Sequence, residues 1–442
     1  MSLPKKKVLL IQPSIYDDRG GLLKKRRLQF VGLAYPLLAA MSPPDWEIEL
    51  CLETIEEIPW DTDAPVVGIG GMGHAMNRGK DIALEFKKRG KTVILGGPMA
   101  SLAPELVEPF CDAVVVGDAE NVWLDVLADL ENGTLKPRYH VPLQHLSTPL
   151  PRYELVTGKR IGQFLPVQAG RGCPNACSFC SIFCLYRTRY FQRPIPEVIR
   201  DITRVKELGF KQFLLLDDNI ASDRQYMLDL CRAIEPLGMT WLSQCEITVA
   251  KDDELLAALT SSGCTMLSFG LESIQPESLA ALNKKWCKPD EYRELLIKVA
   301  DAGIDVASEM IVGVETDTLE SLRRTVEWVA STPIAAPKFY LLTPIPGTDL
   351  YERYKREGRI LDPNVFTYTA SHAVISHPNM TTRELNDIFW EIYDRLYTLP
   401  RILRRTVLHR RFWRKPGHFL FLLGVNLYYR WQIKKRIAPI VM

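Results

Sequence analysis

A chain of 442 residues, 47% hydrophobic and 24% charged, is long enough for two or three domains, and its composition excludes a disordered or collagen-like protein. Fifty-five Lys and Arg against 53 Asp and Glu leave a net charge of +2, so no nucleic acid is expected as a partner. No run of about 18 apolar residues predicts a membrane-spanning helix. Met1 to Pro4, followed by Lys5 to Lys7, carries no apolar signal segment, and a cytoplasmic protein is expected.

Over residues 1–135 short apolar runs alternate with longer amphipathic stretches. Val8 to Ile11, Ile48 to Cys51, Val66 to Ile69, Val93 to Leu95 and Ala113 to Val116 read as strands. Ile82, Ala83 and Phe86, and later Val122, Val126, Leu127 and Leu130, fall at helical spacing. Continuous apolar strands separated by helices predict a doubly wound parallel sheet covered on both faces, an α/β domain that binds ligands beyond the carboxyl ends of its strands. Gly68 to His74, Gly96-Gly97-Pro98 and Gly117-Asp118-Ala119-Glu120 each follow a strand, which gathers glycines on one rim. Each is explicable as a turn; three on one rim favour a ligand.

Residues 136–160, with Pro137, Pro142, Pro149 and Pro151, read as a linker. A second α/β run covers 161–350, with strands expected at Phe164 to Val167, Phe213 to Leu216, Met239 to Cys245, Thr265 to Phe269, Val306 to Val312 and Lys338 to Leu342. Six strand–helix repeats predict a partial (β/α)6 barrel, with functional residues on the loops after its strands. Residues 351–442 read as a helical region. From Arg401 onward it holds eleven Lys or Arg and no Asp or Glu, around the apolar stretch His418 to Tyr429 flanked by Arg414-Lys415 and Arg430. That pattern suits peripheral contact with an anionic membrane surface, and equally a helix packed on the barrel with a solvated basic rim.

The chemistry concentrates in Arg171-Gly172-Cys173-Pro174-Asn175-Ala176-Cys177-Ser178-Phe179-Cys180. The ten cysteines otherwise sit singly in apolar segments, as buried free thiols do in a reducing compartment. Cys173, Cys177 and Cys180, spaced C-x3-C-x2-C, can hold three irons of a [4Fe-4S] cluster and leave the fourth iron open. Cys184 makes two rivals thinkable, a four-thiolate zinc site and a closed structural cluster. Against zinc, structural sites usually bring two separated C-x2-C pairs, whereas here four cysteines crowd into twelve residues at the mouth of an expected barrel.

With Phe179 before its last cysteine, this motif resembles the radical S-adenosylmethionine (SAM) superfamily, and the resemblance continues over residues 164–350. Leu214 to Asn219, Phe269-Gly270-Leu271-Glu272-Ser273, Ile311-Val312-Gly313 and Thr343 to Thr348 look like further family segments in the same order. The resemblance implies a cluster whose open iron is chelated by S-adenosyl-L-methionine, which is cleaved reductively to a 5'-deoxyadenosyl radical. It places Phe179, Asp218, Glu272 and Ser273 at SAM; Asp217 and Asp218 have a second reading as helix caps before Asp223.

A doubly wound sheet ahead of such a barrel resembles the cobalamin-binding subclass. Gly70, His74, Gly97, Gly117 and Glu120 are the residues this implies at the corrin. The subclass's familiar D-x-H-x-x-G signature is absent, so His74 is expected beside the corrin and not as a cobalt ligand. The implied activity is cobalamin- and SAM-dependent methylation of an unactivated carbon. Its rivals are another radical reaction on the same platform, such as ring formation or contraction, and a non-catalytic corrinoid or cluster sensor. Expected partners are a small-molecule substrate, of which a lipid, polyprenoid or tetrapyrrole would suit the basic aromatic tail, and an electron donor of flavodoxin or ferredoxin type. No catalytic residue is assigned.

Overall fold

The computed structural model describes residues 5–17, 20–71, 73–408, 413 and 416–439. The first sheet comprises β1 (Lys7–Gln12), β2 (Glu47–Leu52), β3 (Val66–Gly70), β4 (Thr92–Gly96), β5 (Ala113–Val116) and β6 (Arg138–His140), all parallel in the order β2-β1-β3-β4-β5-β6. Alternate side chains of β1 enter opposite cores: Val8 and Leu10 pack with Tyr35, Trp123 and Val126, while Leu9 and Ile11 pack with Ile82 and Phe86. Burial on both faces is why these strands read as unbroken apolar runs. The order reverses between β1 and β3, and an open α/β sheet forms its ligand crevice at such a switch point.

The second sheet takes β7 (Phe164–Val167), then, past the hairpin strands β8 (Gly170–Gly172) and β9 (Tyr190–Gln192), β10 (Gln212–Leu215), β11 (Thr240–Cys245), β12 (Cys264–Glu272), β13 (Asp305–Val312) and β14 (Ile334–Leu341). Its six parallel strands run in chain order from β7 to β14, with helices such as Ile195–Glu207 and Leu319–Ala330 between them. This is the expected partial (β/α)6 barrel. The hairpin of β8 and β9, which brackets the cysteine loop, carries no periodicity to predict it because each strand has three residues.

The interval expected as a linker is pinned at both ends. β6 extends the first sheet past residue 135, and Leu28 forms a bridge with Ile161. Sheet and barrel share one apolar core, in which Ile311, Val314 and Leu342 pack with Ile69 and Leu95. Gly347 marks their close approach: at φ +84, a Cβ there would lie 2.6 Å from the Leu102 carbonyl oxygen.

Helix Thr382–Leu396 starts on a capping box of Thr381 and Glu384 and seals the free edge of β14. Its Tyr393 hydroxyl accepts from the Phe339 N–H and donates to the Phe339 carbonyl, both at 2.9 Å. Helix Pro416–Lys434 buries Phe419, Leu422, Tyr429 and Ile433 while Leu420, Phe421, Tyr428 and Trp431 stay exposed. Arg410, Arg411, Arg414 and Lys415 of the basic tail lie outside the described residues. No helix among the described residues is long and apolar enough to cross a membrane.

Candidate active site

The cysteine loop leaves β8 and ends on the short helix Ser181–Tyr186, with Cys180 at its N-cap. Two aspartates after β10 hold the entry. Asp217 accepts from the Ala169 N–H at 2.8 Å and Asp218 from the Gly172 N–H at 2.7 Å, so both anchor the backbone leading to Cys173. The cap of the following helix is Asp223, which accepts from the Tyr226 N–H at 2.8 Å. Burial pushes the Asp217 carboxyl up to about 7 and Asp218 to about 6.

Cys173, Cys177 and Cys180 feel one another electrostatically, whereas Cys184 has Asp349 and Arg187 as its charged neighbours. Burial raises all of these thiols, Cys177 to about 12. Bare thiolates would be costly here, and Cys173, Cys177 and Cys180 would hold iron that offsets their charge. Donors aimed at sulfur fit the same purpose: Asn219 Nδ2 lies 3.7 Å from Cys173 Sγ, and the Ile182 and Phe183 N–H groups face Cys180. Among the described residues no three His, Cys, Asp or Glu side chains stand gathered in metal-binding geometry, so it is the chemistry of the donor set, three thiols on one loop with donors aimed at sulfur, that suits a three-thiolate cluster.

Glu272 closes β12 at a register shift, with a left-handed φ of +59. Its carboxylate accepts from Lys284 Nζ at 2.8 Å, and the same ammonium donates to the Gly270 carbonyl at 2.6 Å. Burial opposes the Lys284 charge, but Glu272 and the nearby Cys177 outweigh it and hold the ammonium above its usual range. Strained backbone and a buried ion pair beside the cysteines mark a site that the fold over-determines. Ser273 accepts from the Gln275 N–H at 3.1 Å, within the turn that follows. Phe179 packs into the core shared by Ile311 and Leu342.

Facing this, the first sheet presents its carboxyl rim. Gly97, at φ +94, leaves no room for a side chain, since a Cβ would lie 2.8 Å from the Gly71 carbonyl oxygen. Gly117, at φ +81, donates its N–H to Ser101 Oγ at 2.9 Å, and the Tyr35 hydroxyl donates to the Gly70 carbonyl. Burial lowers the His74 imidazole, keeping it neutral near pH 7. A cavity of about 510 Å³ opens here, lined by Gly70, His74, Gly97, Gly117 and Glu120 from the sheet and by Arg171, Ile182, Leu185, Tyr186 and Asp218 from the barrel. A rim of glycines, Gly97 among them too tight for a Cβ, at the switch point of a doubly wound sheet, fits one face of a flat macrocycle such as a corrin.

Of the residues expected to bind cofactors, Gly70, His74, Gly97, Gly117, Glu120 and Asp218 share this cavity. Glu272 and Ser273 stand apart from it, at the end of β12 on the Cys177 side. Glu120 lines the cavity while paired: Arg171 Nη2 donates to it at 2.8 Å, and Arg171 Nη1 donates to Asp118, which also accepts from the Tyr186 hydroxyl at 2.9 Å. Burial alone would raise the Glu120 carboxyl, but Arg171 outweighs it and holds it low. Arg171 and Lys284 escaped the sequence reading. Arg171 adjoins the motif without spacing of its own, and Lys284 meets Glu272 only through the fold.

Residues 167–329 match the family described as the Radical SAM superfamily. A bacteriochlorophyllide d C-8(2)-methyltransferase of Chlorobaculum tepidum is 29% identical over 398 residues, covering 86% of this chain and 88% of that protein. Among solved structures, the radical S-adenosylmethionine methyltransferase TsrM of Kitasatospora setae, with cobalamin and [4Fe-4S] cluster bound, superimposes at TM-score 0.66 and 18% identity, over 80% of this chain and 75% of that one. The cobalamin-dependent S-adenosylmethionine radical enzyme OxsB superimposes at TM-score 0.69 and 12% identity, over 97% of this chain and 73% of that one. These two show the shared fold, a cobalamin-type sheet ahead of a radical SAM barrel. The chain thus carries a radical SAM match over residues 167–329, and its two-part architecture is similar to that of the cobalamin-binding enzymes just described.

Proposed function

We propose that this chain is a methyltransferase that uses a [4Fe-4S] cluster, S-adenosyl-L-methionine and cobalamin together to methylate an unactivated carbon of a hydrophobic small molecule. The observation that carries this reading is the single cavity bounded by the glycine rim of the first sheet on one side and by the helix following the cysteine trio on the other. Bound together, the three groups supply a carbon-centred radical and a methyl group.

The chain's own residues position, shield and balance charge. Cys173, Cys177 and Cys180 hold the cluster, and Asp217 and Asp218 fix the backbone that presents them. Lys284 neutralises Glu272 within reach of Cys177, so the floor of the site carries little net charge before SAM arrives. Gly70, Gly97 and Gly117 let a planar ring approach the sheet rim, and Ile182 and Leu185 exclude water from the space between.

The apolar part of the lining, together with similarity to an enzyme named for a bacteriochlorophyllide, supports a tetrapyrrole-like or similarly hydrophobic substrate. The exposed aromatic face of helix Pro416–Lys434 supports contact with a membrane surface, where such a substrate concentrates. Reduction of the cluster calls for a one-electron donor of flavodoxin or ferredoxin type. Anaerobic turnover with a candidate tetrapyrrole tests the reading: methyl transfer releases S-adenosylhomocysteine and 5'-deoxyadenosine with methylated product. Release of 5'-deoxyadenosine alone would replace it with ring formation or another radical reaction.

A further inference from the structure

At the amino ends of β13 and β14, on the barrel end opposite the cysteine loop, a second cavity of about 640 Å³ lies beneath the C-terminal helices. Its wall carries Arg401, Arg404 and Arg405 together with Phe419 and Leu422. Of the nearby carboxylates, Glu327 is paired with arginines, and Asp305 lies against His418 without a hydrogen bond. Glu327 accepts from Arg395 at 2.6 Å and from Arg401 at 2.8 Å, and Asp305 Oδ2 lies 2.5 Å from His418 Nε2.

Guanidinium donors are left over. Arg405 Nε and Arg401 Nη1 are buried without a hydrogen-bond partner, and Arg404 stands exposed at the mouth. Arg405 is contacted by the Leu396 carbonyl, 2.6 Å from Nη2, and by the Tyr397 ring, 4.6 Å from Cζ, and neither carries a negative charge. Burial pulls its guanidinium below the usual range, with Arg401 adding repulsion. Arg405 is half-buried, and a buried guanidinium nitrogen without an acceptor keeps donor capacity that an anion would satisfy. Phosphate oxygens match the forked donors of adjacent guanidinium groups.

We propose that this cavity binds a phosphate group, with Arg405 and Arg401 donating from its wall and Arg404 from its mouth. The site is separate from the methyl-transfer cavity and does not depend on that reading. Leu408 at its edge is 72% exposed, and Leu420 and Phe421 on the adjoining helix are 53% and 61% exposed, an apolar apron that suits a phosphate carried by a lipid. A free phosphate presents the same oxygens, so the test separates the two sources.

The probes are inorganic phosphate, pyrophosphate, and vesicles of phosphatidylglycerol or phosphatidylcholine, each with the intact cluster-loaded chain. The readouts are backbone hydrogen exchange over residues 399–408 and vesicle sedimentation. Slowed exchange with phosphate or pyrophosphate assigns a free phosphate. A response to phosphatidylglycerol vesicles alone, absent with phosphatidylcholine, assigns a lipid headgroup. Either response should weaken at least tenfold in Arg405→Gln and persist in Lys435→Gln, a tail lysine outside the cavity. If Arg405→Gln does not fold, as judged by iron content and circular dichroism, Arg404→Gln serves the same comparison. No response to any probe, or equal losses in the cavity and tail variants, overturns the proposal.

Discussion

Arg171, two residues before the first cluster cysteine, bridges Asp118 and Glu120 on the rim of the first sheet, with Nη2 2.8 Å from Glu120 Oε1. The three side chains are 12%, 8% and 17% exposed, so the bridge is largely shielded from solvent. It ties the cysteine loop to the sheet that carries the glycine cradle, and so fixes the two walls of the cavity against each other. Arg171→Met leaves two buried carboxylates unpaired and should cost on the order of 3–5 kcal/mol. Urea unfolding measures that loss. Anaerobic assays should show iron content retained while 5'-deoxyadenosine formed per methylated product rises.

Cys184 separates a three-thiolate cluster from a four-thiolate one. Cys184→Ala should keep iron content and the reduced cluster's electron paramagnetic resonance signal, because its thiol faces Asp349 and Arg187. Cys173→Ala, Cys177→Ala and Cys180→Ala should each lose both. A Cys184→Ala protein that failed to assemble its cluster would make the site closed.

The first sheet was legible in the sequence because its strands are mostly buried on both faces and read as short apolar runs, and the barrel because strand-like segments, some alternating as in β10 and β11, recur between helical stretches. β6 and the β8–β9 hairpin were not, since three-residue strands fall below any periodicity. The cysteine trio and the glycine rim were legible because spacing and backbone freedom leave marks along the chain. The ion pairs of Arg171 and Lys284 were not, because their partners lie 51 and 53 residues away for Arg171 and 12 for Lys284, in segments joined only by the fold. Glu120 illustrates the consequence: the sequence shows the rim carboxylate and hides the arginine it pairs with.

Gly97→Ala tests the cradle. The substitution combines a left-handed φ of +94 with a Cβ 2.8 Å from the Gly71 carbonyl oxygen. It should destabilise the chain by about 1–3 kcal/mol and weaken corrinoid binding at least tenfold, as followed by absorbance titration. Gly90→Ala, where a Cβ meets nothing within 4 Å, should leave corrinoid binding unchanged.

Lys284→Met strands the Glu272 carboxylate, in a pair whose side chains are 8% and 9% exposed. A loss on the order of 3–5 kcal/mol is expected, and the double variant Lys284→Met with Glu272→Gln should recover part of it. Denaturant unfolding of the four proteins gives the coupling directly.

Asp317 carries a pH dependence. Burial pushes its carboxyl up to about 6, although it accepts from the Gly313 and Val314 N–H groups at 2.9 and 3.0 Å. Its folded pKa exceeds the unfolded one, so its favourable contribution is complete below about pH 4 and lost as pH rises through 6. Between pH 4 and pH 7 the parent chain should therefore lose on the order of 1–3 kcal/mol relative to Asp317→Asn. Parallel unfolding curves for the two proteins at both pH values would contradict this.

The account rests on the cavity proposed for cobalamin opening beside the cluster loop, and spin relaxation reads that proximity without requiring the substrate. In protein loaded with cob(II)alamin and cluster, the cobalt signal's relaxation is measured with the cluster oxidised and then reduced. Faster cobalt relaxation on cluster reduction, abolished in Cys177→Ala, is the predicted result. Cobalt relaxation unaffected by the cluster's redox state would place the two groups in separate sites and contradict that proximity.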